Sequence, residues 1–339
     1  MRIEQADPSD PRKARECHEV YLAAQRVDEP GGPWFTDRAF GGWLAVGGYG
    51  SPRELWLATE DASVTGWYEL VLPDRENHDR ASLDLTVHPA ARRRGLGLAL
   101  LRHAAGRAAE NGRRVLDGGA RDGSPGEAFA LAAGAKADLT EIQRVLDLAT
   151  LEKEKLARLR GSAERAAAGY SLVSWAGPLP EEFTEPMAEL YNAMSDAPRE
   201  AGVAPEVWDA ERIRDRESLR PRYGRRDYAV AARHDDSGEL AGLTELAVDP
   251  DDPGWGHQMN TVVTRAHRGH RLGLRLKVAM LELLATTEPG LERISTWNGE
   301  SNEHMVAVND ALGYVPYGPP ATWSELQVAA VPGYADPPG

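Results

Sequence analysis

The 339-residue chain is short of several things at once, and each shortage removes a class of function. A single cysteine, Cys17, excludes a disulfide framework and any metal site built on several thiolates. No uninterrupted apolar run approaches the roughly 18 residues that a membrane helix needs. The start, Met1 to Asp7, has no apolar stretch of the kind a secretory signal carries. Positive charge is also in deficit: 39 basic against 53 acidic residues leave a formal net charge of −14. That balance argues against duplex nucleic acid, where affinity comes largely from neutralising phosphates. Lysine is scarce within the basic set, with only Lys13, Lys136, Lys153, Lys155 and Lys277 beside an excess of arginine, a bias that physics does not demand and that fits a GC-rich genome. The expectation is a soluble, cytoplasmic protein without a metal, with neither nucleic acid nor membrane as partner.

What remains is length for two domains of ordinary size. In the first half, strands are expected at Met1–Ala6, Glu54–Glu60, Val64–Leu72, Ala81–Val87, Arg114–Asp117 and Glu141–Leu148. Helices are expected after Asp10, around Trp34 to Trp43, at Leu96–Glu110 and near Glu127–Ala133. Thr150 to Ala168, rich in Ala, Glu, Lys and Arg, reads as a helical connector. The second half repeats the scheme, with strands at Tyr170–Trp175, Tyr228–Ala232, Leu240–Val248, Gln258–Thr264 and Leu291–Trp297, and helices at Glu185–Met194, Leu272–Thr286 and Ser301–Leu312.

The halves superpose without gaps at an offset of 176 residues. Gly66 falls on Gly242, Glu69 on Glu245, Val87 on Val263, Arg92 on Arg268, Leu96 on Leu272 and Gly97 on Gly273. Several matches in one frame, all in one strand–strand–loop–helix context, mean an internal duplication of one α/β domain. The domains are expected at 1–149 and 170–339, joined by a helical linker at 150–169.

The repeated frame centres on a strand, a basic glycine-containing turn and a helix: Leu85-Thr86-Val87-His88-Pro89-Ala90-Ala91-Arg92-Arg93-Arg94-Gly95-Leu96-Gly97. Such a turn can aim successive backbone N–H groups at an anion, and the helix adds its positive end. The combination suits a diphosphate. With arginine and glycine each about a tenth of the chain, the short motif alone carries little; its placement and its second copy give it weight. It lacks the Gly-Lys-Ser/Thr ending of a P-loop and the Gly-x-Gly-x-x-Gly of a dinucleotide fold.

The run Val87 to Gly97 closely resembles the acyl-CoA pyrophosphate loop of the GNAT N-acetyltransferase superfamily, Arg/Gln-x-x-Gly-x-Gly/Ala. The second copy, Val263-Thr264-Arg265-Ala266-His267-Arg268-Gly269-His270-Arg271-Leu272-Gly273, resembles it with one departure, Arg271 in place of the first glycine. Thr296 to Asn302 and Met305 to Tyr314 are similar to the family's fifth strand and the helix after it. The resemblance covers nearly the whole chain, and the arrangement is similar to tandem members of the mycothiol synthase type and their relatives in actinobacterial secondary metabolism. It implies the mixed-sheet acyl-CoA N-acyltransferase fold, α/β in class, in two tandem copies. It also implies direct acyl transfer from acetyl-CoA, or another short-chain acyl-CoA, to a small amine-bearing metabolite, with no covalent acyl-enzyme and so no task for Cys17.

Carried onto this chain, the resemblance makes Leu85, Val87, Arg92, Arg93, Arg94, Gly95, Leu96 and Gly97 cofactor-binding in the first copy. In the second it points to Thr261, Val262, Val263, Arg268, Gly269, His270, Arg271, Leu272, Gly273, Asn298, Asn302 and Asn309. The thiolate-protonating Tyr of many members is replaced by Ala130 in the first copy and Asn309 in the second, and Ala81 stands six residues before Val87, where some members carry a base. His257, six before Val263, and Glu245 are the base candidates, so catalysis is expected in the second half, with the first half binding CoA. Strict alternation would put His257, Met259, Thr261 and Val263 on one strand face. Alternatives stand beside these readings. His257 could be a solvated strand-end residue, Glu245 and Glu69 a shared structural pair, and Asn298 and Asn302 turn and capping residues. Arg271 could contact a phosphate or crowd the cradle. A CoA-binding regulatory or scaffold protein without transferase activity is the rival function; monomer and homodimer are equally open.

Overall fold

A computed structural model describes residues 1–47, 51–196 and 202–334. In chain order the first half forms β1 (Arg2–Ala6), α1 (Pro11–Asp28), α2 (Asp37–Val46), β2 (Arg53–Glu60), β3 (Ser63–Val71), β4 (Arg80–Val87), α3 (Leu96–Glu110), β5 (Val115–Arg121), α4 (Pro125–Ala132) and β6 (Lys136–Asp147). The rest forms α5 (Lys153–Ala166), β7 (Tyr170–Ala176), α6 (Thr184–Ala193), α7 (Ala210–Leu219), β8 (Arg226–His234), β9 (Leu240–Val248), β10 (Trp255–Val263), α8 (Leu272–Thr287), β11 (Arg293–Gly299), α9 (Glu303–Leu312), β12 (Val315–Pro316) and β13 (Ala321–Gln327). Helix starts follow local chemistry. Asp10, Thr36, Ser124, Asp209 and Asn302 each accept a bond from a backbone N–H of the first turn of α1, α2, α4, α7 and α9.

The chain divides into two units. The first takes Met1–Glu141, a short stretch ending at Ala204 and the C-terminal segment from Gly318; the second takes Ile142–Pro198 and Pro205–Tyr317. In the first unit the strand order is β1–β2–β3–β4–β5–β13–β6. β13 pairs antiparallel with β5 along its whole length, Ala321 opposite Arg121 through Gln327 opposite Val115, and on its other edge with Lys136 to Glu141. The sequence reading assigns no element beyond Tyr314 and places this segment with the second half. Its backbone groups are instead satisfied on both sides within the first unit, as an interior strand of a sheet requires.

Two cores flank this sheet. Tyr68, Leu70, Leu96, Leu100, Leu101 and Leu116 pack under α3, and Cys17, Phe40, Leu44, Leu55, Leu57 and Trp67 pack under α1 and α2. In the second unit the order is β7–β8–β9–β10–β11–β6, with Val315 and Pro316 pairing to Val145 and Arg144. Its core gathers Tyr228, Val230, Leu246, Leu276, Leu281 and Ile294 beneath α8. α8 is a long apolar helix that opens, like α3, directly after the basic turn.

One register detail corrects the sequence reading. β9 and β10 pair regularly except between Gln258 and Thr261, where two residues oppose Glu245 alone. This bulge flips the alternation, so His257, opposite Ala247, and Thr261, opposite Thr244, lie on opposite faces. His257 shares its face with Glu245 instead, and the Met259 in between is absorbed by the bulge.

Candidate active site

In each unit a parallel step is brief. β4 pairs with β5 only from Arg80 to Ser82, and β10 with β11 only from Trp255 to His257. Beyond those pairs the strands splay, leaving the edges of Leu83–Leu85 and Met259–Thr261 without ladder partners on that side. Unpaired strand edges are template positions for an extended ligand with amide groups of its own.

The turns that follow are the same structure twice. A short 3-10 turn (Pro89–Ala91, Arg265–His267) leads into two left-handed positions, Arg93 and Gly95 in the first unit and Gly269 and Arg271 in the second. The copies therefore place their glycine at opposite members of the pair, and Arg271 departs from the motif without altering the path of the loop. Neither α3 nor α8 has a side-chain cap, and nothing lies within 4 Å of a Cβ added at Gly95 or Gly269. The first-turn N–H groups of both helices are thus open toward the turn, the arrangement that receives a phosphate.

Arg92 and Arg268 are expected to touch phosphate; the structure gives each another partner. Arg92 Nε donates to the Val87 carbonyl (3.1 Å) and Arg268 Nε to that of Val263 (3.2 Å). Arg92 also holds Asp28 through two bonds of 2.7 and 2.6 Å, which ties the turn to α1. Arg93 and Arg94 are exposed, Arg94 pairing with Glu60 at 3.0 Å. Leu85 and Val87 are half-buried over the core under α3, Leu96 is buried, and Gly97 faces the Phe129 ring. In the second copy Thr261 bonds Thr244 (2.8 Å), Val262 and Leu272 are buried, and Val263 is half-buried. Gly273 is open, His270 packs on Tyr170, and Arg271 reaches Ser162 at 2.6 Å. Asn302 caps α9 through Met305 N–H, so one of its two readings is realised.

The first unit has an open cleft of about 150 Å³ at the splay, lined by Leu83 and Leu85, by Gly118 to Ala120, and by residues of α3, α4 and β13. A Cβ at Gly118 would meet the Leu83 carbonyl at 3.0 Å, so glycine keeps this slot open. Leu101, Ala120, Ala130 and Ala135 line it. The corresponding positions in the second unit are Lys277, Asn298, Asn309 and Tyr314. The match rests on structure: Ala135 and Tyr314 donate to the carbonyls of Ala130 and Asn309, each at 3.0 Å. There the side chains bond to one another. Lys277 Nζ donates to Asn309 (2.7 Å), Asn309 donates to Asn298 (2.7 Å), and Lys277 sits 5.1 Å from the Tyr314 ring centre. Burial drives Lys277 down to about 7 and pushes the Tyr314 hydroxyl up.

The carboxylates differ as sharply. Glu245 is buried, and burial alone would raise its carboxyl. Arg216 (3.2 Å) and Arg220 (3.6 Å), with bonds from Tyr191 (2.6 Å) and Asn260 (3.0 Å), outweigh that and hold it at about 2. A carboxylate held there is a poor proton acceptor. In the first unit Glu69 pairs with Arg53 (3.1 Å), yet burial, with Asp84 adding to it, pushes its carboxyl up to about 7. Asp84 stands directly opposite Glu69 across β3 and β4, where Asn260 stands in the second unit. No described residue bonds to it. Solvent reaches Asp84, but it sits deep enough among protein atoms that burial pushes its carboxyl up to about 6. The sequence reading passes over Asp84. The signal was available, as a lone acid alternating with Leu83 and Leu85 in a half-buried strand. His257 bonds Ser295 (3.3 Å), and burial, then Arg225, pull its imidazole below the usual value.

A brief parallel step opening beside a basic turn and an uncapped helix, found twice, decides the family. The Acetyltransferase (GNAT) family profile matches residues 14–118 and 187–314. The chain belongs to the GNAT acetyltransferase family. It is similar to a tandem GNAT protein from the clavulanic acid biosynthesis pathway, 30% identical, with a TM-score of 0.78, covering 96% of this chain and 98% of that one. A GCN5-related N-acetyltransferase from Sphaerobacter thermophilus shares the fold at 16% identity and a TM-score of 0.66, covering 99% and 98% of the two chains. No curated protein matches the sequence. This tandem GNAT chain is thus an N-acetyltransferase with a mixed α/β fold in two copies, and among the described residues no helix is long and apolar enough to cross a membrane.

Proposed function

We propose that this tandem GNAT protein transfers an acetyl group from acetyl-CoA to a small amine, and that the first unit is where transfer occurs. The observation that carries this is the open apolar cleft at the splay of β4 and β5, lined by Leu83 and Leu85 and, from α3, by Leu101. The residues fit acyl-CoA. The N–H groups from Arg93 to Gly97 would hold the diphosphate, with the Arg93 and Arg94 charges beside it. The edge of Leu83–Leu85 would pair with the pantetheine amides, and Val87 and Leu96 fix the turn against the core. When bound, the thioester supplies an activated acyl carbon on a good leaving group. Asp84 takes the proton from the acceptor amine; a carboxylate with an affinity for protons near neutral suits that role. Arg92 positions the turn. In the second unit the loop of Arg268 to Gly273 retains an anion-receiving path, and Asn298 and Asn309 belong to the side-chain cluster at the splay.

The sequence-based division of labour, with transfer in the second half, is favoured by one observation. His257 occupies the last position of β10 that pairs with β11, and burial lowers the affinity of its imidazole for a proton. The test is thiol release from acetyl-CoA with a panel of amines, run on Asp84→Asn and His257→Ala. Loss confined to Asp84→Asn supports transfer in the first unit; loss confined to His257→Ala moves it to the second. Tight CoA binding without release for any amine would establish the scaffold reading.

A further inference from the structure

On the face of the first unit's sheet that carries Asp84, the neighbouring groups describe what can be received there. Tyr21, on α1, is close enough for its hydroxyl to feel the charges of Asp84, Glu29 and Arg121. Its ring lies 5.9 Å from Phe35, and Phe35 stacks on Trp43 at 6.1 Å with their planes 14° apart. Phe35 is 44% exposed, a large apolar ring left facing solvent, and its stacking partner Trp43 packs at 6.2 Å on Trp67, a β3 residue on the face that carries Asp84. The Phe35 backbone N–H is tied to the Tyr21 hydroxyl at 3.2 Å, so its loop is pinned to α1. The cation at this place, Arg121, already pairs with Glu29 and donates to the Pro319 carbonyl. Aromatic faces on the same side of the sheet as an open carboxylate suit a cation on an apolar body. A ligand carboxylate or phosphate would meet Asp84 with an arginine already committed, and like charges at close quarters repel.

We infer that the acceptor in the first unit is a primary amine carried on a flat apolar body, without a carboxylate or phosphate of its own. This rests on the reading of that unit as the transfer site. Asp84 receives the ammonium and the Tyr21–Phe35 wall receives the body, so the amine is presented toward the splay of β4 and β5. Burying a ring face against that wall contributes on the order of tenfold in kcat/KM.

The experiment uses the full chain with acetyl-CoA and three probes: 2-phenylethylamine, ethylamine and phenylalanine. Thiol release is followed, and binding of each probe is measured separately by calorimetry. The expected result is kcat/KM for 2-phenylethylamine about tenfold or more above both others. Phe35→Ala, a surface change that spares the core, should lower that advantage about tenfold. Equal use of ethylamine or phenylalanine, or an advantage untouched by Phe35→Ala, overturns the acceptor class while leaving the transferase standing. Calorimetric binding of 2-phenylethylamine that Phe35→Ala weakens, with no thiol release, keeps the acceptor site and overturns the transfer reading. Absence of both binding and release overturns the two together.

Discussion

The two units carry the same backbone device and fill it differently. At four matching positions the first unit has Leu101, Ala120, Ala130 and Ala135 around an open cleft, and the second has Lys277, Asn309 and Asn298 bonded in a chain with the Tyr314 ring against the lysine. At the carboxylate positions the contrast runs the other way. The first unit leaves Asp84 open beside Glu69, whereas the second replaces it by Asn260 and encloses Glu245 with arginines. Duplication preserved the parts fixed by backbone bonds, namely the turn, the strap from Arg92 or Arg268, and the brief parallel step. Side chains at the splay were free to diverge, small and apolar in one copy, polar and bonded to one another in the other. A buried lysine whose amine bonds only to an amide is costly, and it is tolerable because burial lowers its affinity for a proton.

The largest effect should come from making the first cleft like the second. Ala130→Asn with Ala135→Tyr should reduce kcat/KM at least about a thousandfold, by filling the space that positions the acyl donor. Calorimetry should show loss of acetyl-CoA binding by the first unit, and circular dichroism an intact fold. Turnover that survives the pair would place the reaction in the second unit.

Next in size is the base. Asp84→Asn should lower kcat by about a hundredfold to a thousandfold, the usual contribution of a positioned base. The unsubstituted protein should gain activity as pH rises through about 6, where Asp84 loses its proton, and the variant should lack that limb. His257→Ala should change the rate less than about threefold if the two copies have divided as proposed.

Much of this was legible in sequence, and the failures have identifiable causes. Strand and helix periodicity gives β9 and α3 to the residue and the turn-helix motif in both copies, because each is local. Counting in a gap-free frame put His257 opposite Ala81. The bulge at Met259–Asn260 adds a residue, so parallel pairing sets His257 against Ser295 where Ser82 meets Asp117. A bulge leaves no composition signature. β13 escaped because it follows Gly318, Pro319 and Pro320, and only its long-range partners β5 and β6 make Ala321–Gln327 a strand. Lys277 was readable, since it interrupts the apolar face of α8 at the place of Leu101, but one lysine cannot announce that its amine is buried.

Stability should respond to pH in opposite senses in the two units. Glu245 has a folded-state carboxyl depressed to about 2, so its contribution is present above the unfolded value of 4.5 and is lost as pH falls toward 2. Glu69 is raised to about 7, so the fold is favoured below 4.5 and loses up to about 3 kcal/mol as pH rises through 7. Calorimetric melts from pH 3 to 8 check this. Glu245→Gln should destabilise by about 3–5 kcal/mol at pH 7, because Arg216 and Arg220 lose a buried counter-charge. Glu69→Gln should flatten the decline between pH 5 and 8, and a decline of unchanged slope would detach Glu69 from it.

The smallest effect tests the sharing of the loop itself. Gly95 and Arg271 occupy the same left-handed N-cap position, with φ of 85° and 54°. A side chain there costs about 1 kcal/mol relative to glycine. Gly95→Ala should therefore destabilise by about that amount while the open space around it excludes a clash. Arg271→Gly should relieve the same strain in the second copy, offset in part by loss of the Ser162 bond and by the greater freedom of a glycine in the unfolded chain. The two substitutions should thus shift the melting temperature in opposite directions, with the gain at 271 smaller than the loss at 95. A loss at both positions would mean that Arg271 holds the second loop through its side chain, and that this copy has replaced backbone freedom by a fixed bond to α5.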